Sequence, residues 1–197
     1  STASANHSIS QLSKDAIHKE ITKLSKIVTF AEKRPSNFIA FCNKEKSVLT
    51  FLIQFSLMVK GDYILYVLRL LAIAVSMDNA ESVKCCELIM ERMADLIKIF
   101  DKFCLYSNIK LTRRETRKLF QRLFDRASES CKQQLWQLVL ARLAYLERLG
   151  QRADELCSVL EHFISREPSR TQTLSQQLAE LLHAQQHKLN VHTNAFV

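Results

Sequence analysis

The chain has 197 residues, with 28 Lys and Arg against 20 Asp and Glu, a formal net charge of +8 and a pI near 9.3. At 47% hydrophobic and 24% charged it is too apolar to be disordered and ordinary for a globular protein. Two glycines and two prolines, where average usage gives roughly 14 and 10, leave almost no place for phosphate-cradling loops, β-hairpins or sharp catalytic turns.

Taken in order, Ser1–Ser8 is a small, polar, flexible end. From Ile9 the apolar positions Leu12, Ile17, Ile21, Leu24, Ile27 and Val28 have helical spacing, with lysines on the other face. This first helix stops near Arg34, because Pro35 pushes the residue before it out of the α region. Ser36 is placed to cap a second helix through Phe38, Ile39, Phe41 and Cys42. Asn43-Lys44-Glu45-Lys46 interrupts it before a third helix over 47–60. Gly61 suits a left-handed C′ position and Asp62 the next N-cap.

Tyr63–Met77 is apolar nearly all round and is expected to be the most buried helix. Asp78-Asn79 caps the next helix, expected to run unbroken to about Tyr106 on a stripe from Val83 to Phe103. Ser107–Leu111 reads as a connector. Thr112-Arg113-Arg114-Glu115 then matches a capping box, opening a helix through Leu119, Phe120, Leu123 and Phe124. Cys131–Leu149 carries the one tryptophan, Trp136, and stops at Gly150. Ala153–Glu167 stops at Pro168, a glutamine-rich helix spans Thr173–Lys188, and Leu189–Val197 is a tail.

The expectation is an all-α fold of seven to eight antiparallel helices, since short connections force neighbours antiparallel. It is read as one helical domain over 9–188, divisible into 9–106 and 107–188. Each helix pair takes roughly 40–50 residues, the period of HEAT and armadillo solenoids. A multi-helix bundle has the same periodicity and stays open as the alternative.

Six cysteines stand at 42, 85, 86, 104, 131 and 157, with no Cys-x-x-Cys spacing. They read as small buried hydrophobes in a reducing, intracellular compartment, the cytoplasm first, with nucleus and mitochondrion as alternatives. No zinc site or other metal site, and no cofactor, is expected from the spacings. Val48–Val59 is broken by Gln54 and Tyr63–Met77 by Arg69, so neither reaches membrane-span length. A start at Ser1 without methionine and an apolar end at Ala195-Phe196-Val197 suggest a piece of something longer, or a processed chain.

The sharpest electrostatic feature lies between Lys110 and Arg126. Seven cations stand there against Glu115 and Asp125: Lys110, Arg113, Arg114, Arg117, Lys118, Arg122 and Arg126. Arg114, Lys118 and Arg122 are spaced i, i+4, i+8 and share a face, with Arg113 and Arg117 beside them. Such a row can meet an acidic protein segment or phosphates. It can also be a plain solvated face opposite the apolar stripe, partly neutralised by i, i+4 pairs. No aromatic residue is interleaved for base stacking, which weakens an RNA reading.

Other constellations point less clearly to chemistry. His183 and His187 are i, i+4 but lack the glutamate of a zinc protease helix and a third ligand, and His192 lies in the tail. Cys85-Cys86 and Glu161-His162 are neighbours on helices, so each pair diverges by about 100° and faces no common pocket. Phe51, Phe55, Met58, Tyr63 and Tyr66 are expected in the core.

The run of long apolar helices without a catalytic signature resembles α-solenoid segments of very large scaffold proteins. The closing His192-Thr193-Asn194-Ala195-Phe196-Val197 resembles a His-x-Asn-small-x-aliphatic stretch in the giant N-recognin ubiquitin ligases of the purity of essence (calossin) family. There that stretch precedes a β-rich region. The resemblance covers only this tail, and it implies a non-catalytic, armadillo-like segment of a large assembly. Zinc-binding and RING-like residues are absent, so ligase chemistry would lie elsewhere.

The functional expectation is therefore a non-enzymatic helical scaffold that binds other proteins, through acidic or helical segments. The alternative is a nucleic-acid-binding helical protein that turns the 110–126 helix to phosphates.

Overall fold

The computed structural model describes residues 22–59, 61, 63–143, 153–170 and 176. Those residues are mostly helical, and no strand occurs among them. In chain order the elements are α1 (22–33), α2 (Pro35–Lys44), α3 (Ser47–Met58), α4 (Tyr63–Ala74), α5 (Ala80–Met90) and α6 (Met93–Ile99). A π-helical turn (Phe100–Leu105), α7 (Lys110–Arg126), α8 (Glu129–Leu143), α9 (Ala153–Arg166) and a 3-10 turn (Pro168–Arg170) follow. The expectations for Ser1–Ser8, the start of the first helix, Asp62, the stretch 144–150, Thr173–Lys188 and the tail lie outside the described residues. No described helix is long and apolar enough to cross a membrane.

The chain divides into two compact units, Ser1–Asp95 and Leu96–Val197.

In the first unit α4 is the spine. Eight of its twelve residues are buried, including Val67, Leu68 and Leu71. α2, which buries Phe38, Ile39 and Cys42, and α3, which buries Leu49, Leu52 and Ile53, both pack against it. Each fully buried Leu or Ile removes about 1.5–3 kcal/mol of unfavourable hydration. Polar side chains fix the joins. Asn79 caps α5 by accepting from the Ser82 backbone N–H at 2.9 Å. Buried Ser82 donates its hydroxyl to the Ala74 carbonyl at 3.3 Å and accepts from the Met77 N–H at 3.2 Å. Asn43 donates to both the backbone and the carboxylate of Glu81, tying α2 to α5. Gly61, at φ +69°, takes the left-handed conformation expected of it.

Two expectations fail around this unit. Ser36 does not cap α2: Pro35 itself opens the helix, the N-cap is Arg34, and the Ser36 hydroxyl lies 3.3 Å from the Met77 sulfur. Proline's fixed φ suits the first helical position, which moves the start two residues earlier. The run from Ala80 to Tyr106 is not one helix. At Glu91-Arg92 the bonds shorten to three-residue spacing, Arg92 N–H to Ile89 and Asp95 N–H to Arg92, and an Arg92–Asp95 pair at 2.6 Å closes that turn. Beyond α6 the pitch widens, with the Tyr106 N–H reaching the Asp101 carbonyl at 3.0 Å. The wider turn lets three consecutive residues, Phe103, Cys104 and Leu105, all be buried.

The second unit is built on aromatic packing. Phe124 stacks on Phe163 with centroids 3.9 Å apart, and Trp136 stands edge-on to both, at 5.8 and 5.3 Å. Phe100 meets Phe120 edge-on at 4.7 Å. These contacts join the π turn and α7, and join α7 with α8 and α9. The Trp136 indole donates to Glu167 at 3.0 Å, and Glu167 also takes Lys132 and Arg170. Arg142 of α8 holds Asp101 of the π turn through two 2.9 Å hydrogen bonds.

Candidate functional site

Helix α7 decides where the basic residues go. Thr112, Glu115, Thr116, Leu119, Phe120, Leu123 and Phe124 are buried, which leaves an outer edge of Lys110, Arg114, Lys118 and Arg122. Arg122 and Lys110 are exposed, Arg114 is 50% exposed and Lys118 44%. Each is one helical turn from the next, so the row advances about 6 Å per cation.

The other candidates point elsewhere. Arg113 donates from Nη1 to the Ser107 carbonyl at 2.9 Å, closing the connector beneath the helix start. Arg117 stands 2.9 Å from Glu155 of α9, whose side chain is 11% exposed. Arg126 is half-buried at the helix end, with its Nε buried. The six residues Arg113, Arg114, Arg117, Lys118, Arg122 and Arg126 thus divide between inward ties and an outer edge. Spacing alone could not show that division.

The capping box is a correction. α7 starts two residues before Thr112, and its N-cap Ile109 makes no side-chain cap bond. Thr112 and Glu115 are inside the helix and buried. The Thr112 carbonyl accepts from the Thr116 hydroxyl at 2.9 Å. Glu115 instead serves the edge: its Oε1 accepts from Lys118 at 3.2 Å and lies 3.5 Å from Arg114. A carboxylate this buried needs such partners. The edge is therefore a basic row with Glu115 recessed behind it.

The rings of α7, Phe120 and Phe124, are wholly buried, so the helix itself offers no base-stacking platform. Tyr106 and Ile109, exposed by 55% and 50%, stand in the connector just before the row begins.

The cysteine and histidine candidates are placed as follows. Cys42, Cys85, Cys86 and Cys104 are buried, Cys131 and Cys157 are half-buried, and all six are free thiols. Burial pushes the Cys42 thiol up to about 12 and Cys85 up to about 11, so both stay protonated and are poor nucleophiles. Burial raises Cys104 too, with Glu155 adding to it and Arg117 and Arg113 opposing. Glu161 is exposed, while His162 Nε2 lies 2.9 Å from Asp125, which also takes Arg166. Among the described residues no group of three or more His, Cys, Asp or Glu could hold a metal ion. His183, His187 and His192 lie outside the described residues.

Phe51 and Met58 are a further correction, since they are 57% and 70% exposed rather than in the core. Phe55, Tyr63 and Tyr66 are half-buried. An α-helix with no charged residue gives no sign of which side meets solvent, and α3 is such a helix.

Comparison with protein-family models, with curated proteins and with solved structures gives no match.

Proposed function

We propose that this chain is a non-catalytic helical interaction module that binds an acidic segment of another protein along the outer edge of α7. Arg114, Lys118 and Arg122 form the docking row, and Arg113 and Arg117 hold the helix that carries it. One observation supports this reading above others: the cations of α7 are sorted. Arg113 and Arg117 turn inward to tie the helix down, while Arg114, Lys118 and Arg122 stand together on the outer side, the first two beside the recessed Glu115. An extended or helical acidic segment matches such a row in sign and repeat. The buried rings of α7 favour a protein partner over a single-stranded nucleic acid. Free thiols, four of them buried, suit a reducing compartment, and a role inside a larger assembly, of the scaffold or giant ligase kind, fits the same surface.

Binding of a fluorescent poly-glutamate peptide, read by anisotropy, tests this. Arg114→Gln/Arg122→Gln removes two cations of the edge and keeps Lys118 for Glu115. Lys26→Gln/Lys33→Gln removes the same charge from exposed positions of α1. Loss of binding in the first variant alone supports the reading. Equal loss in both makes the attraction one of net charge and overturns it.

A further inference from the structure

Two exposed, largely apolar side chains stand at the head of the α7 edge. Tyr106 and Ile109, in the connector just before Lys110, are 55% and 50% exposed, and they belong to the same compact unit as the helix. The backbone that carries them is tied at each step. The Tyr106 N–H reaches the Asp101 carbonyl at 3.0 Å, and the Ile109 N–H donates to the Ser107 hydroxyl at 3.2 Å. Arg113 of α7 donates from Nη1 to the Ser107 carbonyl at 2.9 Å and from its backbone N–H to the Ile109 carbonyl at 3.2 Å. A side chain presented on a backbone already held in place has less freedom to lose when a partner covers it, which is what a binding anchor needs.

The charge beside this pair says what kind of partner covers it. Lys110, Arg114 and Arg122 are exposed and Lys118 is 44% exposed. These cations stand four residues apart, about 6 Å of helical rise each. A second helix with a carboxylate at every fourth residue repeats at the same distance. The first turn of α7 holds no acidic residue, although a helix N-terminus favours negative charge. A helix laid antiparallel to α7 brings its own negative C-terminal end to that N-terminus. Ile109 has no flat face on which a base could stack, so the pair suits an aromatic or aliphatic side chain.

We propose that the partner of the α7 edge is an acidic helix, antiparallel to α7, with an apolar anchor towards its own C-terminus. Along that helix the carboxylates meet Arg122, Lys118, Arg114 and Lys110 in turn, and the next turn sets the apolar side chain on Tyr106 and Ile109. This rests on the reading of the edge as a site for an acidic segment, and adds to it a conformation, a direction and an anchor. The carboxylates supply attraction and register, and the anchor, shut off from water, supplies the hold.

Three alanine-based helical peptides, read by anisotropy on the full chain, test this. Each carries glutamate at four positions spaced four apart. One has phenylalanine four residues after the last glutamate, one has it four residues before the first, and one has alanine at both places. The first is expected to bind about five- to tenfold more tightly than the third, the worth of burying one partly exposed contact, and the second no more tightly than the third. Tyr106→Ser/Ile109→Ser is expected to abolish the gain and leave the alanine peptide's affinity unchanged. Serine suits the N-cap position that Ile109 holds, and circular dichroism checks that helicity is kept. Ile109→Ser alone gives the same comparison if the double variant loses helicity. Equal binding of all three peptides overturns the anchor, as does a gain that survives in the serine variants. An equal gain from either end overturns the direction. Arg114→Gln/Arg122→Gln separates the two readings: if it leaves the alanine peptide's affinity unchanged, the acidic-segment reading fails and the proposal with it.

Discussion

Arg117 Nη1 of α7 stands 2.9 Å from Glu155 Oε2 of α9, with the two side chains 27% and 11% exposed. The contact is ionic rather than an aligned hydrogen bond, since the same oxygen has no hydrogen-bond partner. Removing one member leaves the other charge buried and unpaired, which costs more than the pair contributes. Glu155→Gln is expected to lower stability by about 1–3 kcal/mol, less than a fully buried pair would lose, because Arg117 keeps some solvent. Replacing both by leucine should cost less than Glu155→Gln alone. Urea denaturation of the three proteins checks the order.

The Phe124–Phe163–Trp136 cluster should dominate the second unit's stability. Phe163 is fully buried and touches both other rings. Phe163→Ala is expected to cost about 3–5 kcal/mol, from lost burial and the cavity left behind. Trp136 is the only tryptophan and lies in the cluster, so its fluorescence reports the loss directly. A cost below about 1 kcal/mol would mean the cluster is not closely packed.

At the α4–α5 join, Asn79 supplies the one observed side-chain cap among the described helices for which a cap is assigned. Asn79→Ala should lower stability by about 1 kcal/mol, and Asn79→Asp should largely keep it, because the carboxylate also accepts from Ser82 N–H. Thermal unfolding of both variants checks this.

The buried thiols predict an alkaline limit. Cys42 and Cys85 sit at about 12 and 11 in the fold, above the ordinary 9.0. The folded state therefore holds these protons where the unfolded chain has released them. Stability from this source is whole below pH 9 and falls as pH rises through 9 towards 11 and 12. Cys42→Ala should be less stable at neutral pH but lose less than the wild type between roughly pH 9 and roughly pH 10.5. Urea midpoints at the two pH values, compared between the proteins, measure it.

The helical class and several boundaries were legible because glycine and proline are scarce and the described ones mark helix boundaries. Pro35, Gly61 and Pro168 all stand at helix ends in the structure. The failures share a cause. The capping box at Thr112–Glu115 was a local pattern, and the apolar demand of α7 buried both ends of it. The break at Glu91-Arg92 and the widened turn at Phe100–Leu105 leave the apolar stripe intact, so periodicity passes over them. The basic row was visible as composition. Its division was not, because the partners of Arg113 and Arg117, at Ser107 and Glu155, are set by tertiary packing.

The most direct measurement is the salt dependence of binding, with poly-glutamate peptide and generic single- and double-stranded nucleic acid compared on the same protein at about 50 and 200 mM salt. The peptide is expected to bind more tightly than either nucleic acid, and Arg114→Gln/Arg122→Gln to remove the difference. Tight nucleic-acid binding with a steep log–log salt slope, lost in the same variant, would contradict this and assign the α7 edge to phosphates.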